Sequence, residues 1–254
     1  MPVKSKSKLK VLCVIPARLG STRLHRKALS LIGGKPMVQR TFEAASLCPD
    51  LDKVVVATDS DEIASVVEAC GGVAEMTSPE IQTGSDRVAV VADRYPEMDV
   101  IINLQGDEPF IKPSMLSELI EPFKQDEGLK MATLAFELDY EKEFHDPNIV
   151  KVIRDLHNNA IYFSRSPIPF QRNTEIPVPA LHHMGIYAFR RDFLKVYCKL
   201  PQTTLEKIES LEQLRAIENG YKIHVAKTAH KTLEINTPEE LERAREYVKQ
   251  LETV

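Results

Sequence analysis

Residues 16–27 hold four cations, Arg18, Arg23, Arg26 and Lys27, together with Gly20 and the hydroxyls of Ser21 and Thr22. Backbone amides around a glycine can cradle phosphate oxygens, while guanidinium and ammonium groups neutralise their charge. The spacing is neither GxxxxGK followed by Ser or Thr, nor GxGxxG, so this is not a P-loop or a dinucleotide fingerprint. A phosphate-holding loop is the expectation, set against a merely solvated basic loop. Asp107 follows an apolar run ending at Leu104, in the order Gln105-Gly106-Asp107-Glu108-Pro109. One or two carboxylates with substrate phosphates is the usual protein site for magnesium. An Asp in such a turn is more often structural, but a basic phosphate loop elsewhere in the chain reverses that balance.

Other polar residues give weaker signals. Thr83-Gly84-Ser85-Asp86-Arg87 precedes a helical stretch, where amides and hydroxyls serve equally as a cap or as contacts to a base or phosphate. Arg165, His183 and Tyr187 are embedded in apolar strand-like runs, and Glu209, Glu212 and Gln213 share a helical region. Satisfied interior residues and a wet helix face are the plain alternatives.

The elements that must position these residues alternate. Apolar runs at 11–15, 54–57, 73–76 and 100–104 read as buried strands, separated by helical patterns at 36–47, 62–70 and 85–94. This predicts a mainly parallel sheet with helices on both faces, which binds ligands beyond the carboxyl ends of its strands. The loops after the first and fourth of these strands are then the place for a site. Farther on, 131–137, 150–154, 186–189 and 222–226 read as strands and 205–218 as one long helix. Thr237-Pro238-Glu239-Glu240 carries the cap, first-position proline and acidic first turn of a last helix. One domain spanning 1–254, with an inserted sub-region at about 143–200, is the simplest organisation.

With 43% hydrophobic and 28% charged residues the chain can build a sizeable core. A formal charge of -4 argues against a protein that coats nucleic acid. Cys13, Cys48, Cys70 and Cys198 form no CxxC pair and read as isolated thiols. The basic start followed by the 11–17 run imitates a signal peptide, but the run is short and contains Pro16, so a tail leading into a strand is the better reading. No stretch reaches the length of a membrane span. A cytoplasmic protein without membrane insertion is expected.

PARLGSTRLHRKAL, ATDSDEI, MTSPEIQTGSDR, NLQGDEPF, MATL, AIYFSRSPIP, HMGIYAFR, LEKIESLEQLRAIENG, KIHV and NTPEELERA occur in that order. Together they resemble the 3-deoxy-manno-octulosonate (KDO) cytidylyltransferase family, over residues 11–244. The resemblance implies an α/β, Rossmann-like nucleotidyltransferase fold with a mostly parallel sheet flanked by helices. The inserted sub-region would contribute dimer contacts and part of the sugar site. It also implies transfer of CMP from CTP to KDO, with release of pyrophosphate, in a magnesium-dependent homodimer that serves lipopolysaccharide synthesis.

By the same resemblance Arg18, Lys27 and Asp107 are the catalytic candidates. Pro16, Ala17, Arg18, Ser21, Arg23, Lys27, Thr83, Gly84, Ser85, Arg87 and Gln105 form the nucleotide side. Arg165, His183, Tyr187, Glu212 and Gln213 form the sugar side, with Arg165 suited to the sugar carboxylate. Asp107 and Asn236 are the metal candidates.

Two departures stand out. The family often has Pro-Gly where this chain has His25-Arg26. Its second metal carboxylate is an Asp where this chain has Asn236; an amide carbonyl still ligates magnesium without a charge, and Glu234 is a rival. The acceptor alternatives are sialic acid, disfavoured by HMGIYAFR and LEQLR, and an amino analogue of KDO. A regulatory protein that kept the fold but lost catalysis draws its weight from Asn236. A dinucleotide oxidoreductase lacks GxGxxG.

Overall fold

The computed structural model describes residues 8–20 and 24–252. Strand β1 (Val11–Ala17) has six of its seven residues buried, as a central strand covered on both faces requires. A 3-10 turn (Lys27–Leu29) and a small hairpin, β2 (Leu31–Ile32) with β3 (Lys35–Pro36), lead into α1 (Met37–Ser46). The next units are β4 (Lys53–Thr58), α2 (Asp61–Ala69), β5 (Val73–Met76), α3 (Gly84–Ala92), β6 (Val100–Asn103) and α4 (Pro113–Gln125). Then come β7 (Met131–Glu137), α5 (Tyr140–Glu143), β8 (Lys151–Arg154), β9 (Ala160–Ser164), β10 (Leu181–Arg190) and α6 (Arg191–Tyr197). The chain closes with α7 (Thr204–Glu209), α8 (Leu214–Glu218), β11 (His224–Lys227) and α9 (Pro238–Glu252).

The main sheet runs β11-β7-β10-β6-β1-β4-β5. β4 and β6 both pair parallel with β1, so the loops after β1 and β6 leave the same edge of the sheet side by side. Antiparallel β10 is wedged between β6 and β7, and the β8–β9 hairpin attaches to its start. The 143–200 segment thus extends the same sheet rather than forming a separate layer.

Alternation along the strands divides the core. Cys13, Ile15, Val56 and Ile102 face one layer with Val38, Phe42, Met115 and Leu119 from α1 and α4. Leu12, Val14, Val55 and Ile101 face the other, with Val88, Val91, Phe193 and Leu214 from α3, α6 and α8. A smaller cluster docks α9 through Leu241, Ala244 and Val248 onto Ile32, Met37 and Ile235. Burying the larger of these side chains contributes roughly 1.5–3 kcal/mol each. It fixes the segment before α9, and hence Asn236, against the β2–β3 hairpin.

The single helix expected at 205–218 is two short ones. Ser210 adopts the left-handed conformation (φ 54°) and ends α7. The break has a cause: Glu209 accepts from Ser164 Oγ at 2.5 Å and from Arg165 N at 2.9 Å, and its carbonyl accepts from Arg165 Nε at 2.9 Å. These bonds draw the helix end toward β9. Likewise the strand read at 186–189 is the second half of β10, which begins at Leu181 and carries an irregularity between Met184 and Tyr187. Cys13 and Cys48 are buried and Cys70 and Cys198 half-buried, all as free thiols.

Candidate active site

Beyond the β1 and β6 ends lies a cleft of about 280 Å³. Pro16, Ala17, Arg18 and Lys27 line it from the first loop, Gln105, Gly106 and Asp107 from the β6 loop, and Asn236 from the approach to α9. The segment before α3 adds Ile81, Gln82, Thr83 and Gly84, with Arg87 from the helix itself. The two loops approach closely because residue 106 is glycine: a Cβ there would stand 3.1 Å from Pro16 O. Ser21 and Arg23 lie outside the described residues.

Lys27 is the junction. Its ammonium is ion-paired with Asp107 and donates to Asn236 Oδ1 at 2.9 Å. The backbone adds a second tie, Ile235 N donating to Asp107 O at 3.1 Å. Glu240 accepts from the amides of Asn236 (2.7 Å) and Thr237 (3.0 Å), while Thr237 Oγ1 accepts from Glu240 N, a capping box that starts α9.

This corner is rich in carboxylates. Burial, and then the neighbouring charge of Glu234, push the Glu108 carboxyl up to about 8. Glu234 is also raised, by desolvation first and by Asp107 second, although the residue as a whole keeps a face to solvent. Asp107 Oδ1 is buried with no hydrogen-bond partner. Among the described residues no three His, Cys, Asp or Glu side chains converge to hold a metal by themselves. The unpartnered Oδ1 of a carboxylate whose Oδ2 meets Lys27, and an amide carbonyl on the same ammonium, nonetheless fit a hard cation that takes its remaining ligands from phosphates.

At the opposite wall, Thr83 Oγ1 caps α3 by accepting from Asp86 N at 3.0 Å. Arg87 is almost fully buried; its guanidinium is ion-paired with Asp59 at 2.9 Å and also bonds Thr77. It fastens the ends of β4 and β5 to α3, and any contact with a nucleotide would add to that role. Ser85 is reached through a chain: Gln105 Nε2 donates to Asn103 Oδ1 at 3.0 Å, and Asn103 Nδ2 faces Ser85 Oγ at 3.4 Å.

None of the five sugar-side candidates lines this cleft. His183 and Tyr187 lie on β10 in the adjoining half of the sheet, and Glu212 and Gln213 precede α8. Tyr187 pairs across β10 with Asn103 of β6, linking the two groups. Its hydroxyl is pushed well above the ordinary range by burial and by Glu212. Glu212 Oε1 and Gln213 Nε2 are both buried without partners. His183 is buried, with Nε2 at 3.0 Å from Thr133 Oγ1, and burial holds its ring down to about 3. Arg165 stands apart at the end of β9, its Nε and Nη1 on the carbonyls of Glu209 and Pro147.

Several participants escaped the sequence reading. Asn103 and Thr133 each interrupt an apolar run, a signal that was available. Lys151 was not visible: it is fully buried, donating to the carbonyls of Asp146, Ile149 and Arg165 at 2.5–2.8 Å. Nothing in its local sequence separates it from a surface lysine.

Comparison with known proteins agrees with this architecture. The family described as cytidylyltransferase matches residues 12–223. A 3-deoxy-manno-octulosonate cytidylyltransferase of Acaryochloris marina is 47% identical, covering 95% of this chain and 98% of that protein. One from Geobacter sulfurreducens is 44% identical, covering 95% and 100%. An 8-amino-3,8-dideoxy-manno-octulosonate cytidylyltransferase of Shewanella frigidimarina is 44% identical, covering 92% and 97%. Among solved structures, a CMP:2-keto-3-deoxy-manno-octonic acid synthetase complexed with CTP superposes with a TM-score of 0.91. It is 42% identical, and the match covers 95% of this chain and 99% of that one. This chain belongs to the cytidylyltransferase family, among its 3-deoxy-manno-octulosonate members.

Proposed function

We propose that this chain transfers CMP from CTP to KDO, giving CMP-KDO and pyrophosphate. The observation that carries the reading is the meeting of Lys27, Asp107 and Asn236 in one cleft. Names of relatives from several bacteria and a CTP-bound neighbour support the substrates.

The anomeric hydroxyl of the sugar attacks the α-phosphorus of CTP, and pyrophosphate leaves on the opposite side. The protein aligns the two reactants and offsets charge, as is general for such transfers. Arg18 and Lys27 face the β and γ phosphates. Pro16, Ala17, Gln105 and the 81–84 segment enclose the nucleoside. Asp107 and Asn236 would hold magnesium, which when bound neutralises the phosphates and polarises the attacking hydroxyl. Arg165, with Tyr187, Glu212 and Gln213, receives the acidic sugar, while His183 stays neutral beside Thr133.

A homodimer is part of the reading. Leu156, Ile161, Phe170 and Ile176, all in the 143–200 sub-region, are exposed large apolar residues of the kind that subunit contacts cover. No described helix is long and apolar enough to cross a membrane, which accords with a cytoplasmic enzyme supplying activated sugar for lipopolysaccharide.

The test is pyrophosphate release from purified protein with magnesium, each nucleoside triphosphate in turn, and a set of 2-keto sugar acids that includes KDO and its 8-amino analogue. Release with CTP and KDO alone is expected. Release with UTP and a neutral hexose phosphate overturns the reading, and a preference for the amino analogue reassigns the acceptor.

A further inference from the structure

The side-chain amide of Asn236 lies between two groups of opposite charge. Its Oδ1 faces Lys27 Nζ at 2.9 Å, and its Nδ2 faces Glu234 Oε1 at 2.5 Å. An asparagine amide is nearly symmetrical in shape, and its partners decide which end is oxygen. Here the partners differ in kind: the Lys27 ammonium only donates, and Glu234 Oε1 accepts from Nδ2. The backbone of residue 236 is already fixed by Glu240 and, through Ile235, by Asp107. Rotation of the amide is the freedom that remains.

We propose that Glu234 is a positioning residue that keeps the carbonyl oxygen of Asn236 turned toward Lys27 and Asp107, making position 236 suited to an amide rather than to a carboxylate. This rests on the reading of Asp107 and Asn236 as holders of the cation. When Lys27 turns to a bound triphosphate, the ammonium no longer selects the carbonyl end, while the Glu234 carboxylate still accepts from Nδ2 and favours the same orientation. A carboxylate at position 236 would instead bring an oxygen to the place now held by Nδ2, against the carboxylate of Glu234. Glu234 thus supplies negative charge behind an uncharged ligand, where an Asp would carry its own.

The consequence is a reversal of sign between backgrounds. The measurement is the affinity of full-length protein for CTP by calorimetry, with no sugar acceptor so that nothing turns over. It is made once with Mn2+ and once with a chelator; the ratio of the two affinities reports the cation's share by linkage. Glu234→Ala is expected to reduce that ratio by about tenfold or more, the usual loss when a ligand's partner is removed. Glu234→Gln, whose side-chain carbonyl still accepts from the amide, is expected to retain most of it. Asn236→Asp alone is expected to be weaker than wild type, and adding Glu234→Ala to it is expected to restore the ratio.

A loss on Glu234→Ala in both backgrounds overturns the proposal and makes Glu234 a direct ligand. No change in either background overturns it as well. Asp107→Asn separates the two levels: if that variant keeps the full Mn2+ ratio, the cation reading of the cleft itself fails. If Asp107→Asn loses the ratio while the reversal is absent, the Glu234 proposal fails alone.

Discussion

Lys27 and Asp107 stand 80 residues apart in the chain and are ion-paired across the mouth of the cleft. Each sits on a loop beyond a strand of the parallel core, and β1 and β6 are direct neighbours. A half-buried pair of this kind does not of itself argue for stability, because desolvation offsets much of the attraction. It does place a cation and an anion where a charged ligand can exchange with either.

Asp107→Asn is therefore expected to abolish turnover while sparing the fold. A fall of at least about 100-fold in kcat/KM is anticipated, since a ligand should matter no less than its supporting partners. The melting temperature should move by only a few degrees. Near-normal CMP-sugar synthesis at ordinary magnesium would refute the assignment.

Arg165→Ala separates the two halves of the site. The KM for the sugar acid should rise at least about tenfold, as the loss of a charge-assisted bidentate contact implies. The CTP dependence should stay nearly unchanged. Some stability is also lost, about 1–2 kcal/mol, because the carbonyls of Glu209 and Pro147 lose their donor. A defect confined to CTP would mean that the sugar and nucleotide sides have been divided wrongly.

His183 gives a pH dependence of known sign. Its folded value, about 3, lies below the ordinary 6.5, so the unfolded chain takes up the extra proton between those limits. The stability from this residue is complete above about pH 6.5 and is lost as pH falls toward about 3. Urea denaturation at several pH values should show a shallower dependence across that window for His183→Gln. An unchanged slope would show that another group is responsible.

Arg26 occupies a left-handed conformation (φ 52°, ψ 37°) immediately before the turn that carries Lys27. Glycine accepts that conformation without a Cβ penalty, whereas other residues incur about 1 kcal/mol or more. The exposed pair of Arg26 with Glu62 offsets little. Arg26→Gly should raise stability by about 0.5 kcal/mol in a denaturant titration. A clear destabilisation would mean that the Glu62 pair holds this turn in place.

How much was legible in the sequence varied with the physics that set each element. β1 and β6 were readable because a strand covered on both faces must be apolar throughout. The loops beyond them followed from the rule that parallel sheets bind at their carboxyl edge. Asn236 entered through resemblance alone; its meeting with Lys27, 209 positions away, is a fact of tertiary packing that no local pattern carries. The break at Ser210 was hidden because good helix formers surround it, and bonds from Ser164 and Arg165 override their preference. Lys151 was hidden for a related reason: three carbonyls satisfy it, and none can be assigned without the fold.

Asn236 lies beyond the last strand, and α9 is the element that docks it. A nascent polypeptide that has left the ribosome only as far as β11 already owns both loops of the nucleotide cleft, yet lacks the amide that closes it. Under the proposed reading, any role of Asn236 toward a cation depends on α9 being packed against Ile32, Met37 and Ile235.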